Sequence, residues 1–134
     1  MIYAIDTDIL IHLLSKKDNS VKVRRDDAVA SGIRFTVPRV VDYEIQRGFL
    51  CNPSPMKEVM YRAFIDHYGV GEITNEIWYK AAHLYAEMHR KNFDVGDADI
   101  LIAAFCIVNN YTLVTNNSKH FKIFDELSIE NWVD

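Results

Sequence analysis

The sequence predicts an α/β fold built on an open parallel sheet, and three observations support this prediction. Short apolar runs alternate with longer amphipathic segments, which is the pattern of strands that lead into helices. The segment from Ile100 to Val108 is apolar at every position, so we expect it to lie at the centre of the fold. Asp6 directly follows the first apolar run, and sites in open α/β sheets form beyond the carboxyl ends of strands.

The first half of the chain contains two predicted strands, each followed by helices. The apolar run from Met1 to Ile5 predicts a buried strand, and the periodicity from Ile9 to Leu14 predicts a helix. A polar stretch from Lys16 to Ser20 precedes the next helix. The further elements are a helix from about Ser20 to Ala30, a strand from Ile33 to Val37, a helix from Pro38 through Phe49, and a helix from Pro55 to near Gly69.

The second half repeats this alternation around the central apolar segment. Asp97 and Asp99 stand at the start of that segment, where a helix dipole favours negative charge, and Asp97 is predicted as its N-cap. Before that segment, we expect a strand from Val70 to Ile73 and then a helix capped by Thr74. The apolar stripe of this helix comprises Ile77, Trp78, Ala81, Leu84, Tyr85 and Met88. The central helix ends at Asn109-Asn110 and is followed by a strand from Tyr111 to Thr115 and an edge strand around Ile129.

The composition indicates one globular domain that spans residues 1–134. Of the 134 residues, 49% are hydrophobic and 25% are charged, which is ordinary for such a domain. There are 15 Lys and Arg against 19 Asp and Glu, so the net charge of −4 gives no general attraction for nucleic acid. Binding of a polyanion would therefore depend on local basic patches or on metal ions.

The cysteines and the apolar runs predict a cytoplasmic protein that does not enter a membrane. Cys51 and Cys106 are far apart and form no C-x-x-C pattern, so we expect two reduced thiols. No apolar run approaches the ~18 residues that a membrane-spanning helix needs, and the first residues enter a strand without a basic leader.

Four acids fall at the ends of predicted elements or on half-buried faces: Asp6, Glu44, Asp97 and Asp99. Ionised carboxylates in such places repel each other and are costly to desolvate unless a positive charge lies among them. No Lys or Arg is close in sequence to Asp6 or Asp99. Mg²⁺ or Mn²⁺ would supply that charge, and these ions also bind phosphates. The pattern therefore favours hydrolysis of phosphodiester bonds.

Each of these acids also has an explanation without a metal. Asp6 and Asp97 are suited to cap helices, and Glu44 can pair with Arg47 on one helix face. Asp99 is explained in part by the helix dipole. Capping does not predict convergence, however, whereas three acids from three separate elements indicate a site.

Five motifs in order resemble those of PIN-domain ribonucleases, in particular the VapC-type toxins of bacterial toxin–antitoxin pairs. The resemblance covers nearly the whole chain. The motifs are the opening Asp6-Thr7-Asp8-Ile9, the helix motif from Glu44 to Gly48, the segment from Asp99 to Ala104, the strand and loop from Leu113 to Asn117 with Phe121, and the tail from Glu130 to Trp132.

This resemblance implies a three-layer fold with a four- or five-stranded parallel sheet between helices. It also implies that Asp6, Glu44 and Asp99 are the catalytic acids that bind Mg²⁺ or Mn²⁺, with Asp97 as an auxiliary acid. Proteins of this type cleave RNA, are blocked by a cognate VapB-like antitoxin and are typically homodimers. The chain differs from the common pattern at Asp8, where Asn is commoner, and at Asn117, where many members carry a fourth acid. A neutral residue at this fourth position would remove one charge from a second metal position.

Several polar residues are predicted to contact the RNA substrate. Thr7 lies within the opening motif, and by the same resemblance Thr115 and Asn117 lie at the edge of the site. Basic side chains would hold phosphates at scattered positions: Arg39, Arg47, Arg90, Lys91 and Lys119.

Two other interpretations remain open at this stage. The sequence Ile5-Asp6-Thr7-Asp8 also resembles the D-x-D opening of haloacid-dehalogenase-like phosphatases, in which Asp6 would be the nucleophile. Leu10 and Leu101 stand where that family has other residues, so this resemblance is weaker. Alternatively, the chain is a non-catalytic module that only binds a partner, and its acids are helix caps.

Overall fold

The computed structural model describes residues 1–15 and 20–133, and the predicted polar stretch from Lys16 falls mostly outside these ranges. Its twelve elements follow the predicted alternation of strands and helices. They are β1 (Ile2–Ile5), α1 (Thr7–Leu14), α2 (Ser20–Ala30), β2 (Arg34–Pro38), α3 (Arg39–Cys51), α4 (Pro55–Tyr68), β3 (Val70–Gly71), α5 (Asn75–Arg90), α6 (Asp97–Asn109), β4 (Thr112–Val114), α7 (Ser118–Phe121) and β5 (Ser128–Glu130).

The five strands form one sheet in the order β3-β2-β1-β4-β5, and all pairs are parallel. The chain first moves from β1 through β2 to β3, and α5 and α6 then carry it back past β1 to β4. Since such crossovers are right-handed, this reversal places α5 and α6 on the opposite face of the sheet from α1 to α4. The predicted three-layer arrangement is therefore confirmed, with five strands.

The reversal of direction between β1 and β4 creates the position where open α/β sheets bind ligands. Ile5 is paired with Val114, so these two strands end side by side. The backbone N–H of Asp6 continues the pairing by donating to the carbonyl oxygen of Val114 at 3.0 Å. The fold thus brings the residues that follow β1 and β4 together.

Helix α6 is the central helix that the apolar segment predicts. Ile102, Ala103, Ala104 and Cys106 are completely buried, and Asn110 ends the helix in the left-handed conformation at φ 57°. Burial is less uniform than predicted, since Leu101, Ile107 and Val108 are partly exposed. The helix therefore packs most of its surface in the core and leaves a narrow stripe accessible.

Some predicted details differ from the structure. Pro38 ends β2 instead of opening α3, because its φ of −58° with ψ of 143° is extended. Gly96 is the N-cap of α6 and Asp97 is its first residue, so the predicted cap is wrong. On α5, Trp78 and Tyr85 are 54% and 53% exposed, so the buried stripe is narrower than predicted.

Two further features concern the cysteines and the lengths of the helices. Cys51 is free and exposed, and Cys106 is free and buried, so no disulfide joins them. None of the helices within 1–15 and 20–133 is long and apolar enough to cross a membrane.

Candidate active site at the carboxyl edge of the sheet

Asp6 is buried at the junction of β1 and α1, with 6% of its surface exposed. It caps α1, since one carboxylate oxygen accepts a hydrogen bond from the N–H of Thr7 at 2.8 Å. The other oxygen accepts from the hydroxyl of Thr115 at 2.7 Å. Asp6 is therefore a cap, as one interpretation held, and is also joined to the end of β4.

The environment of Asp6 opposes its ionisation. Burial raises the pKa of Asp6 from 3.8 to about 6, although the hydrogen bonds from Thr115 and Thr7 lower it in part. The negative charges of Asp8 and Asp99 raise the pKa further. Asp99 is thus close enough to Asp6 for the two carboxylates to repel each other.

Glu44 reaches the same edge from α3. Val41 and Ile45 of this helix are buried, which places Glu44 at the border of the apolar face with 21% of its side chain exposed. Its carboxylate accepts a hydrogen bond from the Thr7 hydroxyl at 2.9 Å. It also lies 3.6 Å from the guanidinium of Arg47, as the pairing interpretation predicts. Thr7 therefore links Glu44 to the chain segment that holds Asp6.

Asp99 lies in the first turn of α6 and is about one-third exposed. One carboxylate oxygen lies 2.7 Å from Nε2 of His120, which is on α7. His120 did not stand out in the sequence, because it belongs to no metal-binding motif and its four-residue helix is too short to show a periodicity. The contact joins residues 21 positions apart and follows only from the packing of α7.

Asp97 and Asn117 each lie two residues from a residue of the site, Asp99 and Thr115, and both are exposed. Asp97 is exposed and lines a groove with Trp78 and Tyr85, and its side chain takes part in no hydrogen bond or ion pair in the described ranges. Asn117 is exposed, and its backbone N–H donates to the Thr115 hydroxyl oxygen at 3.0 Å. Thr115 is completely buried, so the predicted direct contact of its side chain with RNA does not fit this position.

The basic residues predicted to hold RNA differ in their availability. Arg39 is paired with Glu72 and with Asp42, the latter at 2.8 Å. Arg47 is exposed and lies beside Glu44, with its guanidinium 5.2 Å from the centre of the Tyr43 ring. The remaining three lie on exposed positions further along the chain: Arg90, Lys91 and Lys119. Among these five residues, Arg47 is the one that the structure pairs with an acid of the candidate site, Glu44.

The acids at this edge fit a hard divalent cation in ligand type and charge. Carboxylate oxygens are the ligands that Mg²⁺ and Mn²⁺ prefer, and a cation would offset the repulsion around buried Asp6. In the part of the chain that the structure describes, no three His, Cys, Asp or Glu side chains form a group that could hold a metal ion. Each acid is instead hydrogen-bonded to a neighbour: Asp6 to Thr115, Glu44 to Thr7, and Asp99 to His120.

Comparison with known proteins identifies the family. Residues 3–127 match the PIN domain family. Ribonuclease VapC2 of Rickettsia felis is 30% identical to this chain over 135 residues, which cover 98% of each protein. Ribonuclease VapC1 of Methanocaldococcus jannaschii is 28% identical over 74 residues, about half of each protein.

Solved structures agree with this match. One is the crystal structure of VapBC2 from Rickettsia felis bound to a DNA fragment from its promoter. A chain of that structure matches this one with a TM-score of 0.89 and 27% identity, over 98% of this chain and 99% of that chain. DNA-bound VapBC from Salmonella typhimurium gives a TM-score of 0.83 at 22% identity over 98% of both chains, which supports the fold. The chain therefore belongs to the PIN domain family and is a protein of the VapC type.

Proposed function

We propose that this chain is the toxin of a toxin–antitoxin pair and is an endoribonuclease that hydrolyses RNA phosphodiester bonds with Mg²⁺ or Mn²⁺. The observation that carries this proposal is the environment of Asp6. Asp6 is buried at the switch point of the sheet, near the charges of Asp8 and Asp99, and within the described ranges it has no cationic partner. A buried carboxylate in that setting is costly to the fold, and perturbed groups of this kind cluster at functional sites.

The residues at the edge then have separate roles. Asp6, Glu44 and Asp99 bind the ion, and Thr115 and Thr7 orient the first two through their hydroxyl groups. When bound, the ion supplies positive charge to the phosphate group and makes water a stronger nucleophile. The exposed side chains of Arg47 and Asn117 lie where they can contact RNA phosphates or sugars.

A groove beside Glu44 is suited to the antitoxin. It has a volume of about 220 Å³ and is lined by apolar side chains that include Ile11, Leu14 and Phe49, and Thr7 and Glu44 also line it. Ile11 is 49% exposed there, whereas Leu14 belongs to the core. An antitoxin segment that lies in this groove would cover Glu44 and exclude RNA, which explains inhibition by simple occlusion.

A second face is suited to a homodimer. Trp78 and Tyr85 of α5 expose more than half of their surface and, with Leu101 of α6, line a groove on the other side of the sheet. Exposed aromatic residues of this kind are enriched at protein interfaces. Trp78→Glu should therefore convert a dimer to a monomer in sedimentation experiments.

We place the protein in the cytoplasm, in keeping with its free thiols.

Cleavage of a long RNA in the presence of Mn²⁺ tests the enzymatic proposal. We expect Asp99→Asn to slow cleavage by about 100-fold or more, equivalent to about 2.7 kcal/mol in the barrier. Asp94→Asn is the matched control, because it removes the same charge from a nearby exposed position and should leave the rate unchanged. Equal rates for the wild type and Asp99→Asn would contradict the proposal.

The remaining alternatives give different results in the same preparation. The chain belongs to the PIN domain family, which argues against the phosphatase interpretation. A non-catalytic module would release no heat on titration with Mn²⁺ that Asp99→Asn abolishes, and it would cleave no RNA. A purified protein that neither binds Mn²⁺ through Asp99 nor cleaves RNA would therefore be a binding partner only.

A further inference from the structure

His120 and Asp99 form the closest side-chain contact between α7 and the acids of the site. The distance from Nε2 of His120 to Oδ2 of Asp99 is 2.7 Å, which is typical of a hydrogen bond to a charged acceptor. An ionised carboxylate can only accept, so Nε2 carries the hydrogen in this contact. Within the described ranges, the other carboxylate oxygen of Asp99 has no hydrogen-bond partner.

His120 is itself held in place by the core. Its backbone N–H donates to the carbonyl oxygen of Asn117 at 3.1 Å, which fixes the first turn of α7. Its ring packs edge-on against Phe121, with 5.5 Å between the ring centres, and Phe121 is 1% exposed. The imidazole that contacts Asp99 is therefore packed against a buried residue of the core.

Asp99 has less support of its own. Its side chain is 35% exposed in the first turn of α6, and within residues 1–15 and 20–133 the one hydrogen bond that it makes is to His120. The other two acids each receive a hydrogen bond from a threonine hydroxyl, Asp6 from Thr115 and Glu44 from Thr7. His120 completes this pattern, in which one donor from a different part of the chain orients each acid.

We propose that His120 is a positioning residue for Asp99, which holds Oδ2 so that the opposite oxygen is presented to a divalent cation. This inference rests on the proposed function, since it concerns the same ion. The role requires only a donor at the position of Nε2, because the hydrogen bond and not a change of charge fixes the carboxylate. Residues that orient metal ligands in this way typically contribute about 10- to 100-fold to metal affinity.

Calorimetric titration of the metal-free full chain with Mn²⁺ tests this role without measuring activity. We expect His120→Ala to weaken Mn²⁺ binding by about 10- to 100-fold. His120→Gln should recover much of the loss, since the glutamine amide places an N–H donor near the position of Nε2. His83→Ala is the matched control, because His83 is an exposed histidine on α5 whose ring is hydrogen-bonded to the carbonyl oxygen of Tyr79 and not to an acid of the site. Circular dichroism in EDTA verifies that all variants are folded.

The possible results separate this inference from the proposed function. If the wild type binds Mn²⁺ and His120→Ala binds it equally well, the positioning role is wrong and the proposed function stands. If His120→Ala and His120→Gln lose the same affinity while folded, the hydrogen bond is not the cause and the inference is also wrong. If the wild type itself gives no heat with Mn²⁺, the proposed function fails and this inference fails with it.

Discussion

Two carboxylates of the sheet, Asp6 after β1 and Glu130 in β5, have contrasting environments. Glu130 accepts hydrogen bonds from the Tyr3 hydroxyl and the Trp132 indole, each at 2.8 Å, and lies 3.7 Å from the Arg24 guanidinium. Asp6 accepts from Thr7 and Thr115 and faces like charges. Glu130 therefore has hydrogen-bond donors and a cation around it, whereas among residues 1–15 and 20–133 Asp6 has hydrogen-bond donors but no cation.

We therefore expect Glu130 to stabilise the folded state and the ionised carboxylate of Asp6 to destabilise it. Glu130 connects the C-terminal segment to β1, because Tyr3 lies in β1 and Trp132 is 1% exposed. Replacing it should destabilise the protein. Asp6 is destabilising when ionised, so its replacement should stabilise the metal-free protein and remove its activity. Such a trade between stability and activity is typical of functional sites.

The largest stability difference is expected for Asp6→Asn. The pKa of Asp6 in the folded chain, about 6, lies above the ordinary value of 3.8, so the folded state holds the proton more tightly. The protonated carboxyl group of Asp6 therefore adds to the free energy of unfolding. This contribution is complete below about pH 4 and is lost as the pH rises through about 6. At pH 8 the ionised carboxylate therefore costs up to about 3 kcal/mol, which Asn avoids.

Urea unfolding of the wild type and Asp6→Asn at pH 4 and pH 8, both in EDTA, measures this effect. The stability gain of the variant should be small at pH 4 and larger at pH 8. A gain that does not change with pH, or a loss at pH 8, would show that burial does not oppose the charge of Asp6.

Glu130→Ala should give the opposite sign. It leaves the hydroxyl of Tyr3 and the indole N–H of Trp132 without their acceptor, and each unsatisfied buried donor costs about 1–3 kcal/mol. Because both groups can regain water in part, we expect a loss of about 2 kcal/mol in urea unfolding. Glu130→Gln keeps one acceptor oxygen and should lose about half as much. If the wild type, Glu130→Ala and Glu130→Gln were equally stable, Glu130 would not stabilise the fold and would not differ from Asp6 in this way.

The smallest effect is expected at Gly48, which lies one turn after Glu44 in α3. A Cβ atom added at Gly48 meets nothing within 4 Å, and Gly in a helix interior costs about 0.5–1 kcal/mol relative to Ala. Gly48→Ala should therefore stabilise the protein by that amount in thermal unfolding. Gly71→Ala is the contrasting variant, since its Cβ would overlap the ring of Phe105. Destabilisation by both substitutions would indicate that the groove beside Glu44 is tighter than the structure shows.

Much of the fold could be predicted from the sequence because its signals are local. The apolar run of α6, the position of Asp6 after β1 and the strand around Ile129 are each visible within a few residues. The boundary of an element does not follow from the sequence where one residue suits two elements. Pro38 is an example, because its fixed φ is compatible with a strand end and with a helix start.

The partners of the acids could not be predicted in the same way. His120 of α7 meets Asp99 of α6 across 21 positions of sequence, and Glu130 meets Tyr3 across 127 positions. The complete burial of Thr115 likewise depends on its packing between β1 and β5. Sequence patterns identified the candidate ligands, whereas the residues that orient them follow from tertiary contacts.

The central claim is that the acids around Asp6 bind a divalent cation and cleave RNA. Its most direct test is cleavage of a long RNA by protein stripped with EDTA and then supplied with Mg²⁺ or Mn²⁺, comparing the wild type with Asp6→Asn. We predict that the wild type is inactive in EDTA and recovers with the metal, while the folded variant stays at least about 100-fold slower. Undiminished cleavage in EDTA, or equal rates for the variant, would contradict the claim.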